Sequence, residues 1–180
     1  MSLPRYFENP QTLHVNTTSH HAYFIPFSSA ESAVKKTREF SPYFTLLNGE
    51  WDFAYFESYT HLPQDFLRFS FTDKIPVPSN WHNHGYDNHQ YTNVNYPFPF
   101  YPPYVPIENP CGLYHRVFNV EINAGKRYLL NFEGVDSCLF VYVNQQFAGY
   151  SQISHCTSEF DITDFLQKGE NHLHVLVLKW

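Results

Sequence analysis

The chain consists of an aperiodic first quarter followed by segments in which apolar and polar residues alternate with the period of β-strands. Residues 4–42 are polar, contain four prolines and show no sustained hydrophobic period. Only residues 31–40 have a pattern that fits a short helical turn. The pattern predicts an extended N-terminal arm, residues 1–45, that lies over another part of the structure.

Strand-like alternation begins after Leu46. In residues 49–57, Trp51, Phe53 and Tyr55 alternate with other residues, which predicts a strand with one buried face. Further strands are predicted at 69–77, 113–122, 127–134, 138–144, 147–151, 159–163 and 172–180, with a hairpin turn at 144–146. Strands at intervals of about ten residues, with almost no helix, predict an all-β sandwich or barrel.

The predicted strands are interrupted by a long irregular region, residues 76–110. Within it, residues 91–106 read YTNVNYPFPFYPPYVP, with six aromatic residues and five prolines; we call this segment the aromatic loop. Prolines fix φ and remove backbone donors, so the segment cannot join a central strand but is ordered before anything binds. The amides of Asn93 and Asn95 beside tyrosine rings suit a sugar site. A rigid loop that packs on a neighbouring domain explains the same residues equally well.

Composition and charge narrow the function classes. The aromatic fraction of 19%, with 18 Phe and 14 Tyr, excludes a disordered chain and favours β structure. The net charge of −6 argues against nucleic-acid and acidic-membrane partners, which need basic patches. No apolar run is long enough to span a membrane.

The three cysteines are Cys111, Cys138 and Cys156. Their spacings fit neither a metal knuckle nor a disulfide scaffold, so we interpret them as reduced and mostly buried thiols. The sequence stops at Trp180, at the end of a predicted strand, which we interpret as a cut in a larger protein.

Two candidate catalytic or metal sites can be named from residue types. The histidines of 82–89, with His20 and His21 upstream, could bind zinc, but we favour a structural role because no spaced third ligand or outer shell is evident. Glu159 and Asp161 share one side of a predicted strand, yet they adjoin a turn and are interpreted as solvated or capping. No carboxylate pair for glycosidic cleavage stands out.

Nine ordered segments, together with the arm at 5–13, resemble the N-terminal sugar-binding domain of the glycoside hydrolase family 2 β-galactosidases, of the enterobacterial lactase type. The segments are 46-LLNGEWDFAYF-56, 76-PVPSNW-81, 84-HGYD-87, 91-YTNVNYPF-98, 103-PYVPIENPCGLY-114, 132-FEGVDS-137, 149-GYSQ-152, 158-SEFDIT-163 and 168-KGENHLHVLVLKW-180. They cover nearly the whole chain in order, which makes the resemblance specific at family level.

The resemblance implies a jelly-roll β-sandwich, galactose-binding-domain-like, over residues 46–180. It also implies a full-length retaining enzyme that hydrolyses terminal β-D-galactosides such as lactose, with this domain forming one wall of the galactose pocket. Both catalytic glutamates belong to another domain of the family, so the chain alone is expected to be inactive. The alternatives are the same domain of a β-glucuronidase or β-mannosidase, and a free-standing carbohydrate-binding module. The motifs at 91–98 and 103–112 favour the galactosidase.

Residue by residue, the resemblance carries over few functional positions. The family's galactose-contacting asparagine falls on Asn93, with Val94 beside it. A secondary magnesium site maps onto Asn9 and Gln152, but Tyr6 replaces the aspartate that the family uses there. A sodium-ligating aspartate is expected beyond Trp180. The resemblance further implies the remaining domains of the same chain as partners, a homo-oligomer contacted through the arm, and a cytoplasmic location, with the periplasm as the alternative.

Overall fold

Nine β-strands and one short α-helix make up the main regular structure of the described residues, which are 3–91, 93 and 95–180 of the computed structural model. The helix is α1 (Ala30–Lys35), and the strands are β1 (His14–Val15), β2 (Gly49–Phe56), β3 (Asp73–Val77), β4 (Cys111–Val120), β5 (Leu129–Phe132), β6 (Cys138–Val143), β7 (Gln146–Ser151), β8 (Ser158–Asp161) and β9 (Gly169–Leu178). Short 3-10 helices lie at Tyr6–Glu8, Arg38–Phe40, Tyr59–His61, Phe66–Arg68, Trp81–His84 and Thr163–Phe165. Over these residues, no helix has the length and apolar character that a membrane span requires.

The strands form two antiparallel sheets. The large sheet has the order β1-β7-β6-β9-β4-β2-β3, and β5 pairs with β8 in a second, two-stranded sheet. At its centre β4 and β9 pair over ten residues each, from Cys111 opposite Leu178 to Val120 opposite Gly169. The fold is therefore an all-β sandwich, as the strand pattern and the resemblance predict.

The central strands are apolar on both faces because both faces of the large sheet are covered. All six residues of β6 are buried. On β9, Leu173 and Val175 point to a cluster that includes Phe160 of β8, whereas Leu176 points to a separate cluster on the opposite face. A strand buried on both sides shows a continuous apolar run instead of alternation, which is the pattern of the second half of β9.

The outer face of the large sheet is covered by the arm and by the segment 59–71. Phe7 of the arm is buried and packs edge-on against Tyr59 at a ring-centroid distance of 5.3 Å. Phe66 makes a similar contact with Tyr142 of β6 at 5.5 Å. The arm thus lies over the sheet, as expected for a segment with no hydrophobic period of its own.

Two strand predictions need correction. The predicted strand 69–77 is shortened to β3, Asp73–Val77, because Phe69 and Phe71 pack on the outer face instead. The short strand β1 was not predicted; it pairs with β7 through His14 opposite Ser151. Two residues are too few to show a period.

The predicted hairpin between β6 and β7 and the predicted helical turn in the arm are both confirmed. Asn144 and Gln145 have φ values of 49° and 66°, which gives the two-residue turn that matches strand twist. The helix α1 begins after Ser29, whose hydroxyl accepts a hydrogen bond from the backbone N–H of Ser32.

Candidate functional site

The aromatic loop leaves most of its rings in contact with solvent. Tyr91 is 82% exposed and Phe100 is 72% exposed, whereas core rings such as Phe53 are buried. Phe98 bridges the loop to the end of β9, with its ring centroid 5.2 Å from that of Trp180. Tyr96 packs edge-on against Phe98 at 5.1 Å. The loop therefore holds its shape by ring–ring contacts while it presents an aromatic surface outward.

Asn93 lies at a bend of this loop and is exposed. Its neighbour Asn95 is exposed as well. Val94, the other predicted substrate contact, lies outside the described residues. An exposed amide offers both an N–H donor and a carbonyl acceptor to a ligand, which is what the resemblance requires of Asn93; sugar contact at Asn93 and Val94 stays a prediction.

A buried ion pair anchors the chain just before the aromatic loop. Lys179 Nζ donates a hydrogen bond to Asp87 Oδ2 at 2.6 Å, and both side chains are largely buried. His82 Nε2 lies 3.4 Å from the same carboxylate oxygen. Burial by itself would raise the pKa of Asp87, but the hydrogen bond and charge of Lys179 lower it below its ordinary value. Asp87 is thus held as a carboxylate beside β9.

The far end of the loop is tied to the same strand end. The fully buried Asn109 donates from Nδ2 to the carbonyl oxygen of Trp180 at 2.8 Å, and its Oδ1 accepts from Trp180 N at 3.0 Å. Lys179 N also donates to Pro110 O at 2.9 Å. Both ends of the loop are therefore attached to residues 179–180, so the exposed segment between them stands on a rigid base.

Sequence reasoning missed Asp87, Lys179 and Asn109 as supports of the site. Asp87 and Lys179 both lie inside motifs that carry the family resemblance, and their opposite charges are the only sequence signal of their pairing. They are 92 positions apart along the chain, so no local pattern brings them together. Asn109 lies inside the motif 103–114 as well, but it carries no charge. Its proline-rich surroundings give no signal of the residue with which it pairs.

The structure brings together the two residues of the predicted magnesium site. Gln152 Nε2 donates to the carbonyl oxygens of Asn9 at 3.1 Å and of Thr12 at 2.9 Å. Asn9 Oδ1 accepts from the backbone N–H of Gln11 at 3.0 Å. Tyr6, at the aspartate position, packs its ring on Tyr150 with centroids 5.2 Å apart.

This donor set does not by itself fit magnesium, which proteins bind through one or two carboxylates. The pair contains no carboxylate, and the hydrogen bonds from Gln152 Nε2 to the carbonyl oxygens of Asn9 and Thr12 hold the arm beside the sheet. Magnesium binding at Asn9 and Gln152 therefore stays a prediction, and no step below depends on it.

Several of the histidines and carboxylates considered from the sequence contact other side chains or the backbone. His82 contacts Asp87, and its ring lies 5.2 Å from that of His89. Asp161 accepts from the backbone N–H of Thr163 at 3.1 Å, which is a capping contact. Within the described ranges, no group of three His, Cys, Asp or Glu side chains is placed to hold a metal ion. A structural role for the histidines stays a prediction, whereas Glu159, predicted to be solvated or capping, is largely buried and contacts Thr18 and His21 of the arm.

Comparison with known sequences identifies relatives of this architecture. The sequence model described as "Glycosyl hydrolases family 2, sugar binding domain" matches residues 44–180. The chain is 67% identical over its whole length to a β-galactosidase of Actinobacillus pleuropneumoniae and 48% identical over 98% of its length to one of Staphylococcus xylosus. In each case it spans 18% of the relative's length.

Solved structures with a similar fold include β-glucuronidases. One from Bifidobacterium dentium, complexed with coumarin-3-O-glucuronide, matches 73% of this chain and 19% of its own with a TM-score of 0.53 and 28% identity. One from Lactobacillus rhamnosus matches 74% of this chain and 20% of its own with a TM-score of 0.57 and 22% identity, which shows the fold alone. The sandwich fold is therefore shared with one domain-sized part of these larger enzymes.

Proposed function

Because the chain belongs to the sugar-binding domains of glycosyl hydrolase family 2, we propose that it forms one wall of the galactose pocket of a retaining β-galactosidase. The substrates of that enzyme would be terminal β-D-galactosides such as lactose. The observation that carries the proposal is the similarity to curated β-galactosidases along the entire chain.

The part that this chain plays would be to bind and orient the sugar. Asn93 can donate a hydrogen bond from its amide N–H to one galactosyl hydroxyl and accept one at its amide oxygen from another, and its loop is fixed at both ends by Asp87 and Asn109. A ligand that binds a pre-ordered loop loses little additional conformational freedom. Exposed rings such as Tyr91 offer apolar faces for sugar or for neighbouring protein.

The bond-breaking carboxylates would come from another part of the full-length protein. Hydrolysis of this type needs two carboxyl groups about 5 Å apart on either side of the scissile bond. Here Glu159 accepts hydrogen bonds from the arm and Asp161 binds Thr163 and Arg127, so both are engaged in structural contacts. The purified 180-residue chain should therefore show no turnover of a chromogenic β-galactoside.

Substitution of Asn93 tests the proposal directly. In the full-length enzyme, Asn93→Ala should lower kcat/KM for galactosides by about one to three decades, because hydrogen bonds to sugar hydroxyls strengthen in the transition state. Asn95→Ala is the matched control, since it removes an exposed amide two residues away on the same loop. Equal kinetics for wild type and Asn93→Ala would show that the loop serves packing alone.

Two rival functions have distinct signatures. The fold shared with β-glucuronidases suggests glucuronidase specificity as the first rival. Side-by-side assays of a nitrophenyl galactoside and a nitrophenyl glucuronide with the full-length enzyme would reveal it. A free-standing carbohydrate-binding module would bind galactose tightly as the isolated chain. The proposal expects weak or no binding, because one loop supplies too few converging polar groups.

The surroundings of the enzyme are also part of the proposal. We place it in the cytoplasm, where its free thiols, including the buried Cys111 and Cys138, suit a reducing environment. We expect the remaining domains of the same chain and further copies of it as partners, since the aromatic loop presents unburied rings. Sodium and magnesium stay family-based expectations for the full-length protein.

A further inference from the structure

Lys179 and Trp180, which follow β9, contact the chain on both sides of Asn93. Lys179 Nζ donates a hydrogen bond to Asp87 Oδ2 at 2.6 Å. The ring of Trp180 lies 5.2 Å from that of Phe98, with the two ring planes inclined at 66°. Asp87 precedes Asn93 by six positions, and Phe98 follows it by five. Two consecutive residues therefore hold both ends of the short segment that carries Asn93.

The end that precedes Asn93 is a turn held by several contacts. Asp87 has a φ of 63°, in the left-handed region that is uncommon for residues other than glycine and persists where surrounding contacts hold it. Its Oδ1 accepts the backbone N–H of Asn88 at 2.7 Å, and Lys179 Nζ donates to Asn88 O at 3.4 Å. The next ring, His89, lies 5.2 Å from that of His82. The ammonium group of Lys179 thus contacts the turn at two consecutive residues.

Lys179 is a buried cation whose partners are all protein groups. Its side chain is 8% exposed, and that of Asp87 is 14% exposed. The ammonium group also lies over the ring of Trp180, 4.9 Å from the ring centroid. Removal of one member of a buried ion pair leaves the other charge without compensation, which costs far more than the loss of an exposed pair. Without the ammonium group, the turn at Asp87 would have to rearrange to bring its carboxylate to water.

The position of Asn93 depends on these two ends. Asn93 is exposed, so packing of its own side chain does not fix its place. The backbone that leads to it from Asp87 and from Phe98 must do so instead. A binding group has to be held within about 0.5 Å of its productive position, and a misplacement of about 1 Å can cost roughly 100-fold in rate. A contact that fixes the turn at Asp87 is therefore expected to affect what Asn93 does.

We propose that Lys179 is a positioning residue for galactoside hydrolysis, which acts through the turn at Asp87 to place the amide of Asn93 against the sugar. This inference rests on the function proposed above and adds to it a residue that does not touch the substrate. The ammonium group of Lys179 is engaged by Asp87, by the carbonyl oxygen of Asn88 and by the ring of Trp180. Its effect on the reaction is therefore transmitted through the loop.

The test begins with single substitutions in the full-length enzyme. Lys179→Met should lower kcat/KM for a nitrophenyl galactoside by about 10- to 100-fold, the cost of a displaced binding group. Asp87→Asn keeps the size of the side chain and should cause a loss of the same order, because it breaks the same ion pair. Lys168→Met is the matched control: Lys168 Nζ lies 3.8 Å from Glu121 Oε2, both side chains are more than three-quarters exposed, and kcat/KM should not change.

A double-mutant cycle with Asn93→Ala separates positioning from general damage to the fold. If Lys179 acts through Asn93, Lys179→Met should lower kcat/KM by no more than about twofold once the amide is absent, because effects of coupled residues do not add. Its loss in the wild-type background should also be divided between kcat and KM as it is in Asn93→Ala. A substitution that only damages the fold would lower kcat/KM by the same factor in both backgrounds.

Circular dichroism and urea unfolding of each purified variant would verify that it is folded. If Lys179→Met does not fold, Asp87→Asn takes its place in the same cycle. Wild-type kinetics in both variants, or an equal loss with and without Asn93, would overturn the inference and leave the proposed function standing. Wild-type kinetics of Asn93→Ala would instead contradict the proposed function, and the inference would fall with it.

Discussion

The arm and the aromatic loop are both irregular and rich in proline and aromatic residues, yet they use their rings in opposite ways. The first part of the arm buries Phe7 against the sheet and pairs Val15 with Tyr150 of β7. The aromatic loop is held at its ends and by the contact of Phe98 with Trp180, and it leaves rings such as Tyr91 and Phe100 in solvent. The comparison teaches that irregular backbone here has two roles: the arm completes a core, and the loop presents a surface.

The largest expected difference is in stability. Phe7→Ala removes a ring that contacts Tyr59 and Phe140, and truncation of a buried Phe costs about 3–5 kcal/mol in the free energy of unfolding. Phe100→Ala, in the aromatic loop, removes a ring that is 72% exposed, and such surface changes stay within about 0.5 kcal/mol. Urea unfolding of the two variants measures both values. Equal losses of unfolding free energy in the two variants would contradict the statement that the arm completes a core and the loop does not.

Much of the fold could be predicted because its strands are long and periodic. The alternation of Trp51, Phe53 and Tyr55 places β2 correctly, and the apolar run at the end of β9 fits a strand buried on both faces. What covers the outer face could not be predicted. Phe7 lies in a segment without a hydrophobic period, and its burial depends on contacts with residues more than fifty positions away.

The candidate site likewise contains one residue that the sequence predicts and supporting contacts that it does not. Asn93 was named from a local motif, and the structure places it on an exposed bend. The ion pair of Asp87 and Lys179 depends on a contact across 92 positions, which no periodicity encodes. Local sequence thus indicates an exposed candidate for ligand contact, whereas the residues that support its loop become visible only once the sheet has formed.

A smaller loss of stability is expected from a substitution that tests how closely the arm packs on β7. A methyl group added at Gly149 of β7 would lie 2.6 Å from Val15 O and 2.5 Å from the ring of Phe160. Both distances are too short, so Gly149→Ala should cost about 1–3 kcal/mol, as overpacking generally does. At Gly134 the same methyl group would lie 3.5 Å from the nearest atom, Ser154 O. Gly134→Ala should therefore be neutral in urea unfolding, and a neutral Gly149→Ala would mean that the arm lifts away at little cost.

The smallest expected effect concerns the contact between His21 and Glu159, which attaches the arm to β8 after strand β1 has ended. His21 Nε2 lies 3.0 Å from Glu159 Oε1, and Thr18 N donates to the carbonyl oxygen of Glu159 at 2.8 Å. The hydrogen bond with Glu159 raises the pKa of His21. Burial alone would raise the pKa of Glu159, but hydrogen bonds from His21 and Thr18 lower it overall.

The signs of these shifts set the pH range in which the contact stabilises the arm. Since the pKa of His21 is raised, its contribution is complete below the ordinary histidine value of about 6.5 and is lost as the pH rises through the raised value. The contribution of Glu159 is present above its ordinary value of about 4.3 and is lost as the pH falls through the lowered value. The contact should therefore be strongest between these two ordinary values and weaken as the pH rises through the raised pKa of His21.

NMR titration of the His21 ring measures this contact without relying on global stability, which an exposed ion pair changes little. The midpoint should lie above the ordinary histidine value in the wild-type chain and fall in Glu159→Gln, which keeps the backbone hydrogen bond from Thr18. Glu133→Gln is the matched control, because Glu133 pairs with Arg38 elsewhere on the arm and should leave the His21 midpoint unchanged. If Glu159→Gln leaves that midpoint unchanged as well, the arm is held at this point by its backbone alone, and charge has no part in the difference between the two segments.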